Sequence, residues 1–198
     1  CIGGHDPRDS TSNPEPMPDM RHYLGRDIRG MKVGVPREYF ISGMEPGVKA
    51  RIDEALKTLA SLGAEIDTSL SLPSTEHALA VYYIIAPSEA SANLARYDGV
   101  KYGFSDRSGP TMWDNMEQTR AQGFGNEVKR RIMLGTYALS AGYYDAFYLK
   151  AQKVRTVINN EFAAAFAKYD VIVTPTSPTV AFPIGAKVDD PYAMYLND

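Results

Sequence analysis

The stretch from Met31 to Leu70 limits the fold more than any other part of the chain. In "MKVGVP", Met31, Val33 and Val35 alternate with other residues and the run stops at Pro36, the pattern of a short strand. "EPGVKARIDEALKTLASLG" follows. Pro46 sits near its first turn, and Val48, Ile52, Ala55, Leu56, Leu59 and Leu62 recur at three- and four-residue intervals. Gly63 closes that helix, and "AEIDTSL" supplies a second strand. Strand, helix and strand in about 40 residues form a βαβ unit whose two strands pair in parallel. The chain is therefore read as α/β.

The remaining elements follow from similar local signals. Residues 1–30 are rich in Pro, Asp, Ser and Gly, and are expected to run extended along the surface. "STEHALAVYYIIAPSEASANLAR" is predicted to open with Ser74 as N-cap, with Glu76 suiting the first-turn dipole and His77 at the capping-box position. Pro87 is expected to break or kink that helix, leaving Ser88 to start a second. "YDGVKYGFSDRSGP" reads as loop. "MEQTRAQGFGNEVKRRIMLGTYALSAG" is helical at both ends, with Gly123 and Gly125 as the interruption. "YYDAFYLKAQKVRTVINNEFAAAFAKY" is the longest predicted helix, striped by Ala151, Val154, Ile158, Phe162 and Ala165. "DVIVTP" reads as a strand buried on both faces of a parallel sheet, and "TSPTVAFPIG" as a Pro-rich loop. No point in the chain calls for a domain division, so residues 1–198 are read as a single piece.

Totals exclude several classes. A net charge of −3 is no overall footprint for nucleic acid. The one cysteine, Cys1, forbids an internal disulfide, and a cytoplasmic location is the default. No apolar run approaches the roughly 20 residues of a membrane span. The chain does not begin with Met, and "CIGGHDPRDSTS" reads like the middle of a protein, so a piece incomplete at both ends is expected.

Chemistry is sparse. His5, His22 and His77 are scattered, and His5 beside Asp6 and Asp9 reads as a loop-fixing network, so no metal site is expected. No phosphate-binding glycine loop follows a strand, and no nucleophile elbow appears. What stands out is the run Lys129, Arg130 and Arg131 in "NEVKRRIMLG". On a helical wheel Phe124, Val128, Leu134, Gly135 and Ala138 share the side of Arg131, whereas Lys129 and Arg130 do not. Arg131 is thus the cation turned inward, and something anionic must meet it, because stranding a buried charge costs about 3–5 kcal/mol. Glu127, four residues earlier, offers a structural ion pair. A substrate carboxylate gripped by the planar fork is the functional reading, and the two can coexist. The pairs Tyr82-Tyr83 and Tyr143-Tyr144 read first as core packing with tethered hydroxyls.

"GHDPRDST", "YYIIAPSEASANLARYDGVKYG", "TRAQGFGNEVKRRIMLGTYALSAGYYDAFYLKAQKVR", "DVIVTPTSPTVAF" and "DDPYAMYLND" closely resemble, in order, the A-subunit branch of tRNA-dependent amidotransferases within the amidase signature family. The resemblance implies the amidase signature fold, a mixed β-sheet core covered by helices. It implies a glutaminase in the intact protein, with a Lys–Ser–Ser triad on a Gly/Ser-rich segment that this chain lacks, so no catalytic residue is assigned and the piece is expected to be inactive alone. Ammonia from L-glutamine would convert Glu-tRNA(Gln) to Gln-tRNA(Gln). B and C subunits and misacylated tRNA would be the partners, with ATP and magnesium used by the complex and no cofactor in this chain. By motif, the glutamine-binding roles fall on Tyr82 (with Tyr83 one position away), Arg131 and Asp198, with Glu127 orienting the arginine. The alternatives are another amidohydrolase of the same family, and a non-catalytic module that binds a partner.

Overall fold

The computed structural model describes residues 3–197. Strand β1 (Lys32–Gly34) leads through a 3-10 turn (Arg37–Tyr39) into helix α1 (Pro46–Ser61), which returns to strand β2 (Glu65–Asp67). The expected βαβ unit is present. β1 and β2 pair in parallel, with Val33 opposite Ile66. Gly63 ends α1 with φ at +92°, a left-handed turn that a side chain would strain.

Helices α2 (Ala78–Leu94), α3 (Met112–Gly123), α4 (Asn126–Leu139) and α5 (Lys150–Phe166) follow. Strand β3 (Val171–Ile172) then pairs in parallel with the other side of β1, giving the order β2-β1-β3. A short helix, α6 (Pro191–Tyr195), comes last. This is the α/β architecture expected of the sequence, and all described strand pairings are parallel.

The core lies in three clusters. Val33, Val35 and Ala64 sit between the sheet and α1, against Leu56, Leu59 and Ile66. Leu70, Leu72 and Ala165 join the chain after β2 to α5, with Phe162 and Tyr169 beside them. Val81, Ile85 and Ala151 join α2 to α5. Glu38 bridges the first two regions. It accepts from the Leu72 N–H at 2.9 Å and the Ser71 hydroxyl at 2.5 Å. Burial alone would raise its carboxyl, but these donors outweigh burial and hold it at about 2.

Three local expectations are corrected. Ser74 does not cap α2. It lies in a 3-10 turn (Pro73–His77), and its hydroxyl donates to Glu161 of α5 at 2.6 Å, a tertiary bond that local cap rules do not foresee. Pro87 does not divide α2, because its ring is buried inside a helix held on both sides by α4 and α5; Ser88 continues that helix and donates to the Ile84 carbonyl at 2.6 Å. β3 is not buried on both faces. It has only β1 as a neighbour among the described strands, and Val171 is 37% exposed. Residues 3–30 follow the surface as expected, and His5 meets the Ser12 hydroxyl at 3.3 Å within a local loop network.

Candidate functional site

The site is built where α2 and α4 cross. α4 begins after Gly125 and carries Gly135 and Ala138 as its buried positions. A Cβ placed on Gly135 would overlap the Pro87 carbonyl oxygen, so the two helices touch through backbone at this point. Ser91 and Thr136 hydroxyls share a hydrogen bond of 2.8 Å beside it. One turn towards the start of α4 stands Arg131. Just over one turn towards the start of α2 stands Tyr82. The close crossing therefore fixes the gap between these two side chains.

Arg131 is engaged on three of its donors. Nε donates to Glu127 Oε1 at 2.9 Å, Nη1 to the Tyr82 hydroxyl at 3.2 Å, and Nη2 to the Tyr195 hydroxyl at 2.8 Å. A guanidinium has five N–H groups. Three are used among the described residues, and one on each terminal nitrogen has no partner among them. Both phenols accept from Arg131, so each keeps its own O–H to donate. The cluster thus gathers one cation, one carboxylate and two hydroxyls at one place on the rim of the protein.

The side chain of Arg131 is 34% exposed, so it lies at the rim of the protein and not in its interior. The full cost of a stranded buried charge does not apply to it. Leu134, expected on the inward face, is exposed as well. Lys129 Nζ donates to the Ala121 carbonyl at 2.7 Å, and Arg130 shares Glu127 with Arg131, meeting its Oε2 at 3.4 Å. Glu127, and after it the Tyr82 hydroxyl, hold the Arg131 pKa above its ordinary value; the Arg131 hydrogen bond holds Glu127 below the usual carboxylate range. An exposed pair at this spacing contributes about 0.3–0.5 kcal/mol to a helix. A gain that small does not account for a carboxylate and two tyrosines converging on one cation.

The two adjacent tyrosines have different surroundings. Tyr82 reaches Arg131, while the Tyr83 ring packs on Tyr195 with centroids 4.4 Å apart. Desolvation first, and the Tyr195 hydroxyl second, push the Tyr83 phenol up to about 12. Asp198 lies outside the described residues. Tyr195 is the member of the cluster that sequence reasoning missed. Its signal was present in "DDPYAMY": Asp190 accepts from the Ala193 N–H at 3.0 Å, and Pro191 takes the first helical position. A five-residue helix is too short for periodicity to reveal.

Elsewhere, a shallow cavity of about 210 Å³ opens between the 98–107 loop and α3, lined by Asp98, Asp106, Arg107, Asn115 and Thr119. No described polar contact links it to Arg131. Among the described residues no group of three or more His, Cys, Asp or Glu side chains comes together as a metal would need. No helix among them is long and apolar enough to cross a membrane.

Parallel strands flanked by helices, with an arginine–tyrosine cluster on the helical layer, agree with what sequence comparison finds: the chain belongs to the amidase family, whose model matches residues 1–198. Particular relatives are more specific. The chain is 62% identical over 197 residues to the A subunit of glutamyl-tRNA(Gln) amidotransferase from Chloroflexus aggregans, and 60% identical over 198 residues to that of Dehalococcoides mccartyi. All of this chain is matched in both cases, against 40% and 41% of those proteins, so it spans about 40% of the curated relatives' length. Among solved structures, the A subunit of glutamyl-tRNA(Gln) amidotransferase from Thermotoga maritima is similar at a TM-score of 0.63 and 37% identity, over 98% of this chain and 36% of that one. A bacterial aryl acylamidase of the amidase signature enzymes reaches 0.56 at 21% identity, over 89% of this chain and 33% of that one, which is a likeness of fold alone.

Proposed function

We propose that this chain forms the amino-acid-gripping wall of the glutamine-hydrolysing component of a tRNA-dependent amidotransferase. The observation that carries the reading is the convergence of Glu127, Tyr82 and Tyr195 on Arg131, which leaves one N–H on each of Nη1 and Nη2 without a partner among the described residues. Two donors on the terminal nitrogens of one planar cation suit the two oxygens of a carboxylate. The α-carboxylate of L-glutamine would bridge them, Tyr82 would add its hydroxyl, and Asp198 would receive the α-ammonium. Glu127 keeps the fork oriented.

In this reading the nucleophile and its Lys–Ser–Ser triad belong to the part of the relatives' length that has no counterpart here, so these 198 residues alone have no glutaminase activity. The whole protein would attack the glutamine side-chain amide, release ammonia and pass it to a B subunit, with a C subunit tying the two together. Conversion of Glu-tRNA(Gln) to Gln-tRNA(Gln) would draw on ATP and magnesium at the partner, in the cytoplasm. The likeness to glutamyl-tRNA(Gln) amidotransferases supports this assignment, as does the match between arginine and an amino acid's charged end.

The test is Arg131→Met in the full-length protein within its complex. Removing a charge-assisted bidentate pair costs roughly 2–5 kcal/mol, so glutamine-dependent kcat/KM falls by at least about 30-fold, carried by a higher glutamine KM. Transamidation driven by added ammonia survives. An unchanged glutamine KM would rule the assignment out. A screen of simple amides with and without the partner subunits separates it from a general amidase, which would prefer uncharged amides.

A further inference from the structure

Tyr195 meets Arg131 only because α6 is held in place, and the hold lies far from the arginine. Asn197, just past the end of α6, turns its side chain onto the "TSPT" loop. Its Oδ1 accepts from the Ser177 hydroxyl at 2.6 Å and from the Thr179 hydroxyl at 2.6 Å, while its Nδ2 donates to the Ala193 carbonyl within α6 at 2.6 Å. The amide is thus oriented by both of its ends. Lys187 Nζ donates to Thr179 Oγ1 at 3.2 Å, occupying a lone pair, and of the two acceptors within reach of the Thr179 proton Asn197 Oδ1 at 2.6 Å is nearer than the Val180 carbonyl at 3.1 Å.

The loop itself is anchored to the body of the fold. The Pro178 carbonyl accepts from the Glu45 N–H at 2.9 Å, and the Val180 N–H donates to Glu45 Oε2 at 3.3 Å, at the start of α1. A continuous set of hydrogen bonds therefore runs from α1 through residues 177–180 to Asn197 and α6. A helix of five residues does not hold its place by its own hydrogen bonds. These contacts, with the packing of Tyr195 on Tyr82 and Tyr83, locate it.

We propose that Ser177, Thr179 and Asn197 are positioning residues for amino-acid binding: their junction holds α6 so that the Tyr195 hydroxyl lies 2.8 Å from Arg131 Nη2 and closes one side of the fork. None of the three touches the guanidinium. This inference rests on the glutamine reading above, and its test separates the two.

The variants are Ser177→Ala combined with Thr179→Val, and, from the other side of the junction, Asn197→Ala, each in the full-length protein within its complex. Hydrogen exchange at the amides of Ala193, Met194 and Leu196 speeds up in both. Glutamine KM rises at least about tenfold, the scale expected for a displaced positioning group, with ammonia-driven transamidation retained. Thr179→Ser, which keeps the hydroxyl, retains the parent KM. If Arg131→Met raises the glutamine KM while both junction variants leave it unchanged, the positioning role is overturned and the glutamine reading stands. If Arg131→Met changes nothing, the glutamine reading itself fails. Faster exchange without any change in KM also overturns the proposal.

Discussion

At the residue scale, the proposed binding turns on how one guanidinium distributes its donors. Sequence periodicity selects Arg131 over its two cationic neighbours; in the structure Lys129 turns to the Ala121 carbonyl, and Arg130 meets the second oxygen of Glu127. Glu127 at four residues' distance is equally legible, because helical spacing brings such pairs together. Tyr82 rests on a motif and is separated from Tyr83 only by geometry. For Tyr195 only the cap of its helix was legible, in Asp190 and Pro191; its meeting with Arg131 depends on a tertiary junction between residues 177–179 and 197. Two substitutions follow. Tyr82→Phe removes one hydroxyl from the cluster but keeps the ring; glutamine KM rises several-fold, about 1 kcal/mol for one hydrogen bond, with kcat little changed. Glu127→Gln raises KM less than Arg131→Met does, because the fork loses its orientation and keeps its charge. An equal loss in both would show that Glu127 touches substrate directly. Steady-state kinetics on the full-length protein decides both.

At the element scale, two contacts carry most of the organisation. The first is the backbone contact of α4 with α2 at Gly135 and Pro87. Helical patterning marks Gly135 as inward-facing, yet it could not show that a carbonyl lay against it. Nor could local rules show that Pro87 stays inside one helix, because packing between helices overrides propensity. Gly135→Ala forces the helices apart, since backbone has no rotamer to give. It should cost about 1–3 kcal/mol or more, read as a lower urea midpoint, and raise glutamine KM by moving Tyr82 away from Arg131. A midpoint equal to the parent's would contradict the tight crossing. The second contact is Glu38, which ties the turn after β1 to Ser71 and Leu72. Its carboxyl is held at about 2 in the fold, below its ordinary value of 4.5. A depressed acid stabilises the fold above the unfolded pKa and loses that contribution as pH falls through the folded one. The stability gap between the parent and Glu38→Gln should therefore be full above about pH 5 and shrink towards pH 2, with an upper bound of about 3 kcal/mol. A gap independent of pH over that range would show that the carboxylate's charge is not what binds the turn.

At the scale of the whole molecule, α/β layering and a parallel β1–β2 pair were readable in advance, because strand and helix periods are local signals. The exposure of β3 was not, since burial depends on which strand lies beyond it. The chain also leaves large apolar groups in solvent. Trp113 is 72% exposed and Met133 73%, and Tyr137, Tyr143 and Phe147 form a group of mutually tilted rings on α4 and the turn before α5. Faces of this kind associate when uncovered. The isolated 198-residue chain should therefore form dimers or larger species as its concentration rises in sedimentation equilibrium. A strict monomer up to about 100 µM, far above typical micromolar association, would show that these side chains do not form a continuous sticky face.

Whether Arg131 receives an amino acid's carboxylate is decided by a structure of the nucleophile-inactivated full-length protein with bound L-glutamine. One carboxylate oxygen is expected near Nη1 and the other near Nη2, each at about 2.8 Å, with Tyr82 and Glu127 still in contact with the arginine. Glutamine bound with its carboxylate elsewhere, and Arg131 still joined only to Glu127, Tyr82 and Tyr195, would contradict the assignment.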